Sequence, residues 1–100
     1  MPDHLVVPVR YAPGQYPYAG GREAPIAPTS PFVDPLLTLA YIAATTSRIH
    51  LGTSVFTLPL RDPIATARAV LTLDHLSGGR ALFGVGAGWL REEFEVAGQQ

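Results

Sequence analysis

Several groups of residues in this chain could do chemistry, and a glycine-rich stretch near the carboxyl end is the most informative. Gly-Val-Gly-Ala-Gly-Trp at positions 84–89 follows a short apolar run. Glycine lets a flat ring or a phosphate group approach the backbone closely, so the stretch is a candidate binding loop. Tight packing of a helix against a strand would also explain these glycines. A dinucleotide-binding Gly-x-Gly-x-x-Gly pattern is not met, since a match begun at Gly84 or Gly86 would end at Trp89 or Arg91.

The three histidines are the candidates for acid–base chemistry, because imidazole gains and loses a proton near neutral pH. His50 falls inside an apolar, β-rich run and is interpreted as a packed or edge residue of a strand. His75 falls near the carboxyl end of a predicted helix, where the partial positive charge of an imidazole offsets the negative end of the helix dipole. His4 follows Asp3 directly, and a lone Asp-His pair is most simply structural. The sequence contains neither a Ser-His-Asp arrangement nor metal-ligand spacing, so we expect no metal site.

Composition narrows the classes of function. The 100 residues carry seven basic and eight acidic side chains, a formal net charge of −1, and no cysteine. The absence of a basic patch argues against a nucleic-acid partner. The absence of a long apolar run argues against a membrane partner, and with no signal-peptide pattern it predicts a cytoplasmic protein. A hydrophobic fraction of 47% is enough for a packed core.

Capping signals predict the helices that position the candidate residues. Residues 1–33 hold seven of the ten prolines, which predicts a long irregular loop because proline disfavours helices and removes strand donors. Asp34-Pro35 and Asp62-Pro63 each combine an N-cap residue with proline at the first helical position. The first predicted helix closes near Ser47, and the second ends at Gly78-Gly79. A third helix is predicted over residues 91–97.

Two buried parallel strands are predicted between these helices, over residues 49–57 and 80–86. The spacing of the two Asp-Pro starts and of the two strands is close to the length of one β/α unit. Parallel strands bring their carboxyl ends to one edge of the sheet, where α/β enzymes build their sites. This arrangement brings Ser54 and Val55 to the same edge as Gly86, Ala87 and Gly88.

Two sequence motifs resemble those of a known family. Leu-Asp-x-Leu-Ser-x-Gly-Arg at positions 73–80, followed by Gly-x-Gly-x-Gly-Trp at 84–89, resembles the luciferase-like flavin and deazaflavin oxidoreductases. The resemblance runs from Asp3 to about Gly98. It implies an α/β fold, a partial (β/α)8 TIM barrel with about strands three and four over residues 34–100, preceded by the proline-rich loop. A whole barrel needs about 250 residues, so we expect a fragment of a longer enzyme.

The resemblance also implies a site. Asp3-His4 matches the end of the second barrel strand, with His4 handling a proton beside the cofactor ring and Asp3 setting its tautomer. Members of the family often have a non-proline cis peptide where Ser54-Val55 falls, behind the isoalloxazine ring. Ser54 and Val55 with the 86–88 segment would line that ring. Trp89 stands where some deazaflavin-dependent members carry a catalytic glutamate.

The implied activity is hydride transfer or monooxygenation on a small organic substrate. Coenzyme F420 is the expected cofactor, with FMN as the alternative, and a homo-oligomer is left open. Barrel phosphate sites commonly use the loops after strands seven and eight, so we expect this chain alone to bind cofactor poorly. Two other functions stay open, namely a dinucleotide-binding α/β unit and a non-catalytic remnant.

Overall fold

The computed structural model describes residues 3–7, 9, 27 and 29–99 of the chain. The elements in chain order are α1 Pro35–Thr45, β1 Leu51–Thr57, a 3₁₀ turn Leu58–Leu60, α2 Pro63–Ser77, β2 Ala81–Gly86 and α3 Arg91–Val96. Helix, strand, helix, strand and helix therefore follow one another in the predicted order. Most of the predicted loop 1–33 lies outside the described residues.

Both long helices begin as the capping signals predict. The Asp34 carboxylate accepts a hydrogen bond from the Leu37 amide at 2.9 Å, and Asp62 accepts one from the Ala65 amide at 2.7 Å. Each bond satisfies one of the amide groups that have no partner inside the helix. At the other end of α2, Gly78 has a φ of 68°, a left-handed conformation that favours glycine.

The two strands pair in parallel, which confirms the prediction for the Ser54–Val55 segment and the strand ending at Gly86. The register runs from Leu51 opposite Ala81 to Thr57 opposite Gly86, with an irregularity between Thr53 and Phe56. Within it, the Ser54–Val55 peptide bond is cis, as the resemblance implies. The carboxyl ends of both strands therefore lie at one edge.

The core lies between the two long helices and one face of the sheet. Its buried members are Leu39 and Ala43 of α1, Leu51 of β1 and Leu73 of α2. In the part of the chain that the structure describes, the sheet has two strands rather than a closed barrel. No described helix is long and apolar enough to span a bilayer.

Arg80 joins the ends of α1, α2 and β1 just before β2 begins. Its Nε donates to the Ser77 carbonyl at 2.7 Å. One Nη donates to Thr46 Oγ1 at 3.1 Å and the Ile49 carbonyl at 2.9 Å. The other donates to the carbonyls of Ala43 at 3.1 Å and Thr46 at 2.9 Å. All five N–H donors of the guanidinium are thus used, four of them on carbonyls.

The arginine also shows why one prediction for His50 is wrong. His50 precedes β1 and is exposed, whereas the sequence placed it within the strand. Ladder pairing begins only at Leu51, whose amide donates to the Arg80 carbonyl at 2.9 Å. Because the Ile49 carbonyl is taken by the Arg80 side chain, the backbone enters the ladder two residues later than its apolar pattern suggests.

Candidate active site

The predicted ligand-facing residues do lie at the carboxyl edge of the sheet, and the glycines among them also have packing reasons. A Cβ on Gly86 would stand 2.5 Å from Val55 Cγ2. A Cβ on Gly88 would stand 2.8 Å from both the Phe94 ring and Thr57 Cγ2, and its φ is +82°. Protein atoms therefore require glycine at both positions, whether or not a ligand approaches them.

Val55 is an exposed apolar side chain at this edge. It follows the cis peptide bond, and 46% of its surface is exposed. Gly86 leaves room for its methyl groups, because any larger residue there would overlap them. Ser54 is exposed beside it, as are Ala87 and Gly88 after the neighbouring strand.

Asp3 is anchored at the same edge by the last residue of β1 and by an arginine that follows the strand. Its carboxylate accepts from Arg61 Nη1 at 2.6 Å and Nη2 at 2.8 Å, and from the Thr57 amide at 2.8 Å. The Asp3 side chain is fully buried, so this pairing offsets the cost of removing its charge from water. Bidentate geometry makes the arginine–carboxylate pair strong and directional.

His4 is held by Glu93 of α3 rather than by Asp3. Its Nδ1 lies 2.9 Å from Glu93 Oε2. The other Glu93 oxygen accepts from the backbone amides of Leu5 and Val6. Because the Glu93 carboxyl group already accepts from two backbone amides, we infer that Nδ1 donates to its second oxygen, which leaves Nε2 as the nitrogen at which the ring can accept a proton.

One implication of the resemblance is therefore wrong. Among the described residues, the Asp3 carboxylate bonds to Arg61 and the Thr57 amide, whereas His4 Nδ1 contacts Glu93, so Asp3 does not set the tautomer of His4 through a direct contact at Nδ1. Glu93 takes that role through its contact with Nδ1. The neighbours of a residue in sequence need not be its partners in space, since adjacent side chains on an extended backbone diverge.

Two aromatic rings frame the imidazole. The His4 ring meets Phe32 edge to face at 5.6 Å between centroids, and it meets Trp89 in the same way at 6.0 Å. Edge-to-face contacts at these distances are favourable and directional. Trp89 comes from the segment after β2, so the carboxyl end of that strand contributes an aromatic wall here and α3 contributes the carboxylate, Glu93.

Glu93 and Arg61 were missed as functional residues, and one of them left a signal. Leu90, Glu93 and Phe94 follow helical i, i+3, i+4 spacing, which places the glutamate on the apolar stripe. A carboxylate on such a stripe needs a partner, and Glu93 is 1% exposed. The sequence analysis predicted this helix but did not single out Glu93. Arg61 follows the 3₁₀ turn and had no comparable signal.

As a chemical arrangement, the site can orient an imidazole and let it move a proton. The pairing of a buried carboxylate with Nδ1 fixes the ring and its tautomer, which is the usual support of a histidine general acid or base. Within residues 3–7, 9, 27 and 29–99, no group of three His, Asp or Glu side chains is placed to hold a metal ion.

Comparison with known proteins decides the family. The model of the luciferase-like monooxygenase family matches residues 15–100. The chain belongs to this family. An uncharacterized protein of Mycobacterium tuberculosis is 39% identical over 93 residues, which are 93% of this chain and 33% of that protein. This member thus spans about a third of the length of its mycobacterial relative.

Two further relatives carry named activities. The F420-dependent glucose-6-phosphate dehydrogenase of Kineococcus radiotolerans is 50% identical over 62 residues, 61% of this chain and 18% of the enzyme. The 4-hydroxyprotoasukamycin monooxygenase of Streptomyces nodosus is 44% identical over 64 residues, 64% of this chain and 17% of the enzyme. This luciferase-like chain is therefore similar both to a deazaflavin-dependent dehydrogenase and to a monooxygenase.

Proposed function

We propose that this chain forms the cofactor-facing edge of an oxidoreductase that uses coenzyme F420, with FMN as the alternative cofactor, and acts on a small organic substrate. The observation that carries the proposal is the His4–Glu93 pair, at 2.9 Å, at the carboxyl ends of two parallel strands. Family membership supports the reaction class, and an F420-dependent relative that is 50% identical over 62 residues favours the deazaflavin.

The residues at this edge are suited to a flat ring system that has one polar margin. Val55 offers half-exposed apolar surface, and Gly86, which lies against its methyl groups, adds no further bulk. His4 supplies a nitrogen at which a proton can be held or released. On this basis Ser54, Val55, Gly86, Ala87 and Gly88 are proposed to line the ring.

F420 supplies hydride transfer when bound, whereas reduced FMN supplies oxygen activation. The chain's own residues orient the groups around that chemistry. His4 holds or moves a proton at Nε2, and Glu93 keeps the opposite nitrogen protonated. Phe32 and Trp89 restrict the imidazole ring and reduce its contact with water. Because Glu93 carries out the orienting role, Asp3 is proposed to act as an anchor and not as an acid or base.

The test is a titration of the ¹⁵N-labelled 100-residue chain with F420, FMN and NAD⁺, followed by amide chemical shifts. Weak binding is sufficient for this measurement, which suits a chain expected to lack the phosphate site. We expect F420 to shift the amides of residues 54–55 and 86–88 and the ring signals of His4, with FMN as the second-best ligand.

The other outcomes separate the alternatives. Shifts produced by NAD⁺ alone would favour a dinucleotide-binding unit. No localised shift with any of the three cofactors would favour a chain that binds nothing by itself, and would overturn the proposed site. Micromolar binding by a monomer would support the cofactor assignment but contradict the expectation that the phosphate anchor lies elsewhere.

A further inference from the structure

The short segment formed by residues 3–6 is held from two sides at the carboxyl edge of the sheet. From the β1 side, Arg61 and the Thr57 amide bind the Asp3 carboxylate. From the α3 side, Glu93 binds His4 and the two amides that follow it. The imidazole lies between the two attachments, so both decide where it stands.

We propose that Arg61 is a positioning residue for His4. Its guanidinium holds the Asp3 carboxylate in a bidentate pair, and Asp3 directly precedes the histidine. Consecutive Cα atoms are about 3.8 Å apart, so a displaced Asp3 backbone moves its neighbour with it. Without this pair, the contacts of the Glu93 carboxylate with His4 and with the amides of Leu5 and Val6 would have to hold the segment by themselves.

Arg61 is itself fixed well enough to serve as an anchor. Its guanidinium carbon lies 4.2 Å from the centre of the Phe56 ring, and Phe56 is 1% exposed. A cation over an aromatic face is attracted by the ring quadrupole. The Asp34 carboxylate, which caps α1, lies 4.0 Å from Arg61 Nη2, the nitrogen that also donates to Asp3 Oδ1. Arg61 thus connects the start of α1 and the end of β1 to the histidine segment.

The chemistry of the pair explains why arginine is needed. Two parallel N–H···O bonds set both the distance and the angle of a carboxylate, whereas a lysine ammonium acts as a point charge. The Arg61 side chain is 15% exposed and that of Asp3 is fully buried, so solvent weakens the pair little. Arg61→Lys keeps the charge and removes the planar fork, which isolates positioning from charge.

The tautomer of His4 reports on its position without any cofactor. Long-range ¹H–¹⁵N correlation spectra distinguish protonation at Nδ1 from protonation at Nε2. In the unmodified chain we expect one tautomer, protonated at Nδ1 because of Glu93. In Arg61→Lys and in Asp3→Asn we expect loss of this single-tautomer signature and averaged ring shifts. Arg68→Lys, on the exposed surface of α2, is the matched control and should leave the spectrum unchanged.

A purely structural role for Arg61 gives a different result. Urea unfolding of the same variants would then show lower stability while His4 kept its Nδ1 tautomer, and that result would overturn the proposal. Asp3→Asn guards against a poorly folded Arg61→Lys, since asparagine keeps a hydrogen-bond acceptor for Arg61. An unchanged tautomer in a folded Asp3→Asn chain also contradicts the proposal.

The catalytic consequence rests on the proposed function, and the two can fail separately. If F420 and FMN shift no signals but Arg61→Lys alters the His4 tautomer, the positioning role stands and the cofactor assignment fails. If cofactor binding is observed and the His4 tautomer does not change in Arg61→Lys, the cofactor assignment stands and the positioning role of Arg61 fails. In a chain that turns over F420, Arg61→Lys should lower kcat by about 10²-fold with little change in cofactor affinity.

Discussion

Replacement of Arg80 should destabilise this chain, because the contacts of its side chain join the ends of α1 and α2 to the residues just before β1. Arg80→Ala removes five hydrogen bonds and leaves the carbonyls of Ala43, Thr46, Ile49 and Ser77 to find other donors. Ala43 and Thr46 belong to the end of α1, where helix carbonyls have no partner inside the helix.

The size of the effect follows from the kind of bond that is lost. Hydrogen bonds to a charged group contribute about 1.5–3 kcal/mol each in mutational series, and they are not additive. Arg80 is only partly buried, so water replaces some of the lost donors. We therefore expect Arg80→Ala to lower the free energy of unfolding by about 2–4 kcal/mol. Arg80→Lys should cost about 1–2 kcal/mol, since an ammonium cannot reach all of the carbonyls.

Urea unfolding followed by the fluorescence of Trp89, the single tryptophan, measures this difference. The dependence of the free energy on urea concentration should stay constant across variants, which shows that the same surface unfolds. Arg68→Ala is the matched control, because Arg68 is exposed on α2. If Arg80→Ala unfolds within about 0.5 kcal/mol of the unmodified chain, the hydrogen bonds do not stabilise it and the reasoning is refuted.

Four further substitutions test the site and its supports. Gly88→Ala should cost about 1–3 kcal/mol, since the new Cβ would stand 2.8 Å from Phe94 and the residue keeps a φ of +82°. Gly98→Ala, also at positive φ but with nothing within 4 Å, should cost only about 1 kcal/mol, and equal thermal shifts for the two would show that the contact is unimportant. Asp62→Ala removes the bond to the Ala65 amide and should cost about 0.5–2 kcal/mol in urea unfolding, with no loss speaking against the cap. His4→Ala, measured in a version of the enzyme that turns over cofactor, should lower turnover by about 10²–10⁴-fold while leaving cofactor affinity nearly unchanged, and unchanged turnover would remove His4 from the mechanism.

Local signals were sufficient to predict the order of the helices and strands and the starts of the two long helices, although β1 begins two residues later than its apolar pattern suggested. Asp34 and Asp62 cap their helices through their own side chains, and Gly78 ends α2 at positive φ. Such interactions join residues three or four positions apart, so the sequence states both partners together. The parallel pairing of 51–57 with 81–86 followed from the β/α spacing, because a strand and the next one joined by a helix pair in parallel.

The side chains of the site were decided by tertiary structure. The family resemblance singled out His4, yet its partner Glu93 stands 89 positions away, and Arg61 stands 58 positions from Asp3. No local pattern connects residues at such separations, since the contacts form only after the helices pack on the sheet. A buried carboxylate must find a donor wherever the fold supplies one. The sequence by itself thus determined the elements and the edge at which the site lies, and packing determined that Glu93 orients the imidazole and that Arg61 anchors Asp3.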